Sequence, residues 1–257
     1  MSPPKQGNRK KIRKVEHLYL FEHRYFIFCE GKRTEPNYFG GFKKAIESNP
    51  MYNNMVFIDV EGVGKETLKV LEAAEKKVAD EKLKDAHIWC IYDKDSFPPE
   101  RFNQVSEKIR DLNNSHAGRN GVIYHAGWSN QCFEYWFILH FVFYDAKNYR
   151  TDYYNFLDIK FKEHGFTNYS KTIDEIFDFL SYKGDPIQAI KWAKKRLCDC
   201  SGCTDAESVP ATRVHELVEE LAKYLPGELR NRYLKESTSI YPVDKNVIET
   251  GDSTDDI

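Results

Sequence analysis

The sequence lacks any apolar run long enough to cross a bilayer. Residues 1–15 are rich in lysine and arginine, but no hydrophobic stretch that could act as a secretion signal follows them. These absences argue against a membrane-spanning or secreted protein. We therefore expect a cytoplasmic protein that does not bind a membrane.

Net charge is also almost absent, since the 257 residues carry a formal charge of −2. The two ends of the chain are nonetheless of opposite sign, with a basic run within residues 1–15 and an acidic run within residues 249–257. A neutral total does not exclude a nucleic-acid ligand, because a local basic surface is sufficient to bind one. Residues 1–15 have almost no core-forming side chains and predict a disordered arm; an ordered contact with nucleic acid is the alternative.

Several common signatures of catalysis and cofactor binding are missing. The turn Gly62-Val-Gly-Lys65 lacks both the glycine spacing and the Ser or Thr after the lysine that a phosphate-binding P-loop needs. No Ser/His/Asp order and no glycine-rich dinucleotide fingerprint stands out. His125 and His140 lie within a predicted strand and a predicted helix, which favours a structural role.

The cysteines indicate buried packing more than metal binding. Three of the six lie in predicted buried segments, where a free thiol packs as a small hydrophobic group: Cys29, Cys90 and Cys132. The others form the cluster Cys198-x-Cys200-x-x-Cys203. Zinc would need a fourth ligand, for which His164 or His215 is a candidate, but the spacing is not that of a standard zinc finger. We expect reduced thiols, with a zinc site as the alternative.

Strands and helices alternate in the first part of the chain. Short apolar and aromatic runs predict strands at 24–29, 55–60, 87–92 and 122–126. Helical patterns between them indicate an α/β fold with a mostly parallel four-stranded sheet flanked by helices. From about residue 150 only helical patterns follow. The predicted divisions are a basic arm at 1–15, an α/β domain at 16–150, an α-helical C-terminal extension at 151–225 and a weakly ordered acidic tail at 226–257.

Acidic side chains follow two of these strands at the point where each strand ends. Glu30 comes after the first strand, and Asp93 and Asp95 come after the third. Because the carboxyl ends of neighbouring parallel strands meet at one edge of a sheet, we expect the three carboxylates to surround one cleft. Hard oxygen ligands of this kind predict a site for Mg²⁺ or Mn²⁺. Considered separately, an Asp-x-Asp loop and a Glu-Gly turn each have a purely structural interpretation.

Other polar side chains lie near these acids or near the fourth strand. Residues 131–144 are apolar nearly all round and predict a buried helix, with Ser129 or Asn130 as its N-cap. Alternatively, Ser129 and Asn130 bind substrate phosphate at that helix N-terminus. Glu134, one turn into the helix, would either reach the metal or favour the helix dipole. Three basic residues that flank the acids are candidates for binding phosphate: Lys32, Arg33 and Lys94.

Three segments occur in an order that carries a family resemblance: Cys29-Glu30-Gly31-Lys32-x-Thr34-Glu35-x-x-Tyr38-Phe39, Tyr92-Asp93-x-Asp95 and Ser129-Asn130-x-Cys132-Phe133-Glu134-x-Trp136. Together they resemble the RloB family, which has a Toprim-like fold. The likeness runs over about residues 24–144, with a weaker echo at 210–218.

The resemblance implies a metal-dependent nuclease encoded near phage-defence loci, often beside an ATPase partner. It implies that Glu30 serves acid/base or metal chemistry and that Asp93 and Asp95 bind magnesium. The chain departs from the common Toprim pattern at Ser96-Phe97-Pro98-Pro99, where a further acid or glycine is usual. The number of metal ions therefore stays open.

Two functions are consistent with these residues. The first is a nuclease that hydrolyses phosphodiester bonds through Glu30, Asp93 and Asp95, with Glu134 as a further catalytic candidate. The second is a non-catalytic module that binds a metal-bound nucleotide or nucleic acid and signals to a partner ATPase. Metal-dependent turnover would distinguish them. The sequence does not fix DNA or RNA as the ligand, and it leaves an oligomer open.

Overall fold

A computed structural model of the chain describes Leu18 and residues 20–64, 66–115 and 120–234. The predicted arm at 1–15, Lys65 and residues 235–257 of the predicted tail lie outside this part. The strands are β1 His23–Cys29, β2 Val56–Gly62, β3 Ala86–Asp93, β4 Val122–Asn130 and β5 Ala211–Thr212. They form one sheet in the order β2-β1-β3-β4-β5. The first four are parallel, and β5 runs antiparallel to β4.

Helices connect the parallel strands and are the main regular structure described after β4. Those between strands are α1 Thr34–Glu47, α2 Thr67–Glu81 and α3 Pro99–Asn114. The later ones are α4 Glu134–Ile138, α5 Arg150–Glu163, α6 Ile176–Lys183, α7 Pro186–Asp199, α8 Val214–Ala222 and α9 Gly227–Tyr233. This architecture confirms the predicted α/β fold with a mostly parallel sheet and a helical C-terminal part. The fifth strand was not predicted, because two residues are too few to show a periodic pattern.

The two central strands are buried on both faces, which explains their nearly continuous apolar sequences. Successive side chains of a strand point to opposite faces. Tyr25 and Ile27 of β1 therefore pack in the core that includes α1, whereas Phe26 and Phe28 pack in the core that includes α2 and α3. Burial on both sides fixes the position of β1 and β3, and so fixes where their carboxyl ends deliver side chains.

The helical part shares its core with the sheet. Buried side chains of α5, α6 and α8 belong to the same hydrophobic cluster as Tyr25 and Ile27. The helical patterns predicted after about residue 150 correspond to α5, α6, α7 and α8. Of the helices that the structure describes, none combines the length and the apolar character needed to span a membrane.

The predicted helix at 131–144, with its cap at Ser129 or Asn130, was wrong in both its start and its length. Both residues belong to β4, and α4 contains only Glu134–Ile138, with Phe133 as its N-cap. Ser129 Oγ lies 2.9 Å from Thr212 Oγ1, and Asn130 Nδ2 donates to the carbonyl oxygen of Ala206 at 3.0 Å. These partners lie far along the chain, so a local pattern could not reveal that the polar pair extends a strand.

Candidate active site

The acids that follow β1 and β3 lie at one edge of the sheet, because these two parallel strands are neighbours. Glu30 directly follows β1, and Asp93 is the last residue of β3. They line a pocket of about 290 Å³. Its other lining residues include Asp95 and two side chains that the sequence did not single out, Glu35 and Lys171. The structure thus brings the three predicted carboxylates together.

Glu30 is held by polar groups from β3 and α2. Its Oε2 atom accepts a hydrogen bond from the backbone N–H of Asp93 at 3.2 Å and one from Thr67 Oγ1 at 3.4 Å. Burial raises the pKa of Glu30 to about 7, and the charges of Asp95 and Glu35 act in the same direction against the bond from Asp93. A carboxyl group with this pKa can both accept and release a proton near neutral pH.

Asp93 has a carboxylate oxygen in an unfavourable environment. Its Oδ1 atom is shielded from solvent and has no hydrogen-bond partner. Burial raises the pKa of Asp93 well above its usual range, and the neighbouring charges of Glu35, Glu30 and Glu134 raise it further. A buried, unpartnered carboxylate oxygen among like charges is unfavourable unless a proton or a cation neutralises it.

Glu35 is a fourth acid of the pocket, and only 4% of its surface is exposed. Its Oε1 atom accepts a hydrogen bond from the backbone N–H of Gly31 at 3.1 Å. A Cβ atom at Gly31 would overlap the Glu35 carboxylate, so a larger residue there would displace that carboxylate. Burial raises the pKa of Glu35, and the charge of Glu134 adds to that effect. The signal in the sequence was its place five residues after Glu30, within the first turn of a helix that opens at the strand end.

Asp95 is paired with an arginine from the helical part of the chain. Nη1 of Arg150, the first residue of α5, lies 3.0 Å from both carboxylate oxygens of Asp95. The backbone N–H of Asp95 donates to the carbonyl oxygen of Gln131 at 2.9 Å, which holds the aspartate next to the end of β4. Nothing in the sequence around Arg150 indicated this contact.

Glu134 is only 1% exposed and is not among the residues that line the pocket. Its Oε1 atom accepts a hydrogen bond from the Tyr169 hydroxyl at 2.9 Å and lies 3.5 Å from Nζ of Lys171. Although burial opposes it, the charge of Glu134 raises the pKa of Lys171. Glu134 therefore anchors a lysine that lines the pocket.

The predicted phosphate-binding residues divide into two groups. Lys32 and Arg33 line the pocket and are exposed. Ser129 and Asn130 are buried by their contacts with β5 and with the segment before it. Nζ of Lys94 donates to the carbonyl oxygen of Phe97. The structure does not bring this second group to the pocket.

The backbone at the end of β4 and at the residue after it nevertheless supports the acids. The backbone N–H of Lys94 donates to the carbonyl oxygen of Ser129 at 2.9 Å, and Asp95 is bonded in the same way to Gln131. The end of β4 thus holds the turn between Asp93 and Asp95. Ser129 lies in the strand that makes these bonds, so its observed contacts are structural.

The donor set fits a divalent cation in kind. It consists of carboxylate oxygens, which Mg²⁺ and Mn²⁺ prefer, and the unpartnered Oδ1 of Asp93 is one that a cation would neutralise. Within residues 20–64, 66–115 and 120–234, no group of three or more His, Cys, Asp or Glu side chains is arranged so that it could hold a metal ion. Mg²⁺ does not need a complete protein cage, because water and substrate phosphate commonly fill its remaining positions. The search for metal-holding groups also covered the cysteine cluster at 198–203, whose three thiols are all free.

The raised pKa of Glu30 predicts how the metal-free protein responds to pH. The folded state binds a proton that the unfolded state releases between the ordinary pKa of 4.5 and the folded value of about 7. The free energy of unfolding therefore falls as pH rises through this range, by an amount on the order of 2 kcal/mol from this group. Glu30→Gln should remove that dependence.

Urea unfolding of both proteins in the presence of a chelator, at several pH values between about 5 and 8, measures the effect. The difference in the free energy of unfolding between the variant and the wild type isolates the contribution of Glu30, because the buried histidines contribute equally to both proteins. His125, for example, has a pKa that burial lowers to about 4, and it changes stability in the opposite direction. A difference that does not grow with pH would contradict the assignment of the raised pKa to Glu30.

Comparison with known proteins identifies a family. The family model described as RloB-like protein matches residues 25–221. No curated protein and no solved structure gives a match. The matched range includes β3, β4 and most of β1 and continues through the helical part into α8, so it contains Glu30, Asp93, Arg150 and Lys171. The chain belongs to the RloB-like family.

Proposed function

We propose that this protein is a Toprim-like nuclease that hydrolyses phosphodiester bonds of nucleic acid with Mg²⁺ or Mn²⁺. The observation that carries the proposal is the buried, unpartnered Oδ1 of Asp93, which lies among the carboxylates of Glu30 and Glu35. This concentration of negative charge opposes folding unless a cation offsets it. A metal ion bound at the carboxyl ends of β1 and β3 would remove this cost, which favours a metal-binding role for the site.

Three side chains would hold the ion: Glu30, Asp93 and Asp95. When bound, the ion polarises the phosphodiester and stabilises negative charge on the leaving oxygen. Lys32 and Arg33 line the same pocket and are exposed, so they are suited to bind phosphate oxygens of the substrate.

Glu30 is the best-placed group for moving a proton. Its carboxylate accepts a proton from the attacking water as the water oxygen bonds to phosphorus. The bond between phosphorus and the leaving oxygen breaks, and that oxygen takes a proton from solvent. Glu134 is buried beneath Lys171 and acts on this reaction through the lysine that it holds. Its predicted catalytic role stays a prediction.

The test is cleavage of labelled DNA, tRNA and other RNA by the purified protein with Mg²⁺, with Mn²⁺ and with a chelator. We expect cleavage with either metal, none with the chelator, and a loss of about a hundredfold or more in Glu30→Gln, because this variant removes the proton acceptor. The substrate that is cut identifies the nucleic acid. Metal-dependent binding of these ligands without turnover would support the non-catalytic binding module instead.

The cellular role is proposed from the family resemblance alone. We propose that the nuclease acts in bacterial defence against phage, beside an ATPase partner, because that is the setting implied by the motifs around Glu30 and Asp93. The cleavage assay uses the isolated chain first and the chain with the partner second. Cleavage that appears only with the partner would show that the ATPase activates the site.

A further inference from the structure

Two cations reach the acidic pocket from the helical part of the chain. Nη1 of Arg150 lies 3.0 Å from both carboxylate oxygens of Asp95, and Nζ of Lys171 lies 3.5 Å from Oε1 of Glu134. The exposed fractions of the two basic side chains are 49% and 54%. Each cation is thus bound to one acid of the site and remains accessible to a ligand from solvent.

The segment between α5 and α6, which carries the lysine, is held in place at several points. The backbone N–H of Tyr169 donates to Oδ1 of Asp158 at 2.6 Å, and its hydroxyl donates to Glu134. On the other side, Nδ2 of Asn37 in α1 donates to the carbonyl oxygen of Ile173 at 3.1 Å. These bonds connect the segment to α5, α4 and α1, so the lysine is presented from a fixed backbone.

The arginine and a bound metal ion would compete for the same oxygens. Both oxygens of Asp95 are bonded to Arg150, and Asp95 is one of the three acids that would hold the ion. Asp93 lines the same pocket, and its Oδ1 atom, which has no hydrogen-bond partner, is the oxygen that would attract the ion. A guanidinium released from a carboxylate can form equally directional bonds to a phosphate, because the two anions present similar pairs of oxygens.

We propose that Arg150 and Lys171 form a phosphate clamp. When a divalent cation binds the acids, Arg150 exchanges Asp95 for a phosphate oxygen of the substrate, while Lys171, still held by Glu134, binds a second phosphate oxygen. This inference rests on the proposed function and deepens it. It assigns the helical part a role in binding the substrate, which is a chain bearing phosphate groups. It also explains why exposed basic residues surround buried acids, since the acids would hold the cation and the basic side chains would bind the phosphate.

Two binding measurements test the clamp without using turnover. Calorimetric titration with Mn²⁺ alone should show Arg150→Met binding the ion about three- to tenfold more tightly than the wild type, because a competing charge is gone. Anisotropy titration of a fluorescein-labelled oligonucleotide, as DNA and as RNA, with Ca²⁺ present should show about tenfold weaker binding for Arg150→Met and for Lys171→Met. Lys171→Arg should stay within about threefold of the wild type for the oligonucleotide, whereas Arg150→Lys should fall between the wild type and Arg150→Met, because an ammonium keeps the charge but not the directional donors of the guanidinium.

Matched controls remove the same charges at the opposite edge of the sheet. Arg110 is exposed near the end of α3, and Lys84 is exposed just before β3. Arg110→Met and Lys84→Met should leave both affinities close to those of the wild type. Thermal unfolding of every variant verifies that it is folded before titration.

Each outcome separates the clamp from the proposed function. A wild-type protein that does not bind Mn²⁺ would contradict the proposed function and remove the basis of the clamp. Wild-type binding of Mn²⁺ that Arg150→Met leaves unchanged or weakens, together with unchanged oligonucleotide affinity, would overturn the clamp alone. Equal losses in the control variants would show that total charge, and not these two side chains, determines oligonucleotide binding.

Discussion

Replacing Asp93 by asparagine is expected to reduce metal-dependent cleavage by about a thousandfold or more, while making the metal-free protein harder to unfold. Both effects come from one atom, the buried and unpartnered Oδ1 of Asp93. An asparagine has the same shape but no charge, so it cannot supply the anionic ligand that a divalent cation needs. Loss of activity together with a gain in stability distinguishes a metal-ligand role from simple damage to the fold.

The gain in stability follows from the pKa of Asp93. Burial and the charges of Glu35 and Glu30 raise this pKa well above its usual range, so the folded protein holds either a proton or an unfavourable charge at neutral pH. An asparagine side chain is neutral, so the folded variant carries neither the bound proton nor the unfavourable charge. We expect the free energy of unfolding in the presence of a chelator to rise by about 1 kcal/mol or more, measured with urea near neutral pH. Added Mn²⁺ should stabilise the wild type and leave the variant nearly unchanged.

Asp59→Asn is the matched control for this prediction. Oδ2 of Asp59 in β2 lies 2.7 Å from Nζ of Lys77, so this aspartate is paired with a cation already. The same substitution there should leave cleavage unchanged and lower the free energy of unfolding by at most about 1 kcal/mol. A metal-free Asp93→Asn protein that unfolds more easily than the wild type would contradict the charge-repulsion argument. Retained cleavage in that variant would contradict the proposed metal site.

The acids at the strand ends could be found from the sequence because one physical rule places them. Parallel strands with buried apolar sequences bring the residues at their carboxyl ends to a common edge, so Glu30 and Asp93 could be placed together without coordinates. The rule gives proximity, but it does not give the hydrogen bond between the backbone of Asp93 and Glu30 or the unpartnered Oδ1. Those depend on side-chain positions that only the packed structure defines.

The cations of the site could not be found in this way. Arg150 and Lys171 lie in the helical part, 55 and 76 positions along the sequence from Asp95, and no local pattern marks either residue. Their place is set by how α5 and the segment after it pack against the core. At Ser129 and Asn130 a local pattern was present but misleading. It predicted a helix cap, whereas both residues extend a strand that pairs with residues about 80 positions later.

Gly41→Ala is expected to destabilise the protein strongly, although the change adds one methyl group to a helix. Gly41 lies in α1, and a Cβ atom there would overlap the Cβ and Cγ atoms of Phe177 in α6. Phe177 cannot easily move away, because it is buried and its ring centroid lies 4.6 Å from that of Phe42. We expect the free energy of unfolding to fall by about 2 kcal/mol or more, with Tm lower by about 4–8 °C in a thermal scan.

The adjacent residue in the same helix provides the control. A Cβ atom at Gly40 would meet nothing within 4 Å, so Gly40→Ala adds only the better helix propensity of alanine. That variant should be more stable than the wild type by about 0.5–1 kcal/mol. The two substitutions are chemically identical, so opposite signs would show that the close packing of α6 on α1 is what makes the added methyl group costly at Gly41. A stabilising Gly41→Ala would mean that the two helices can separate at little cost.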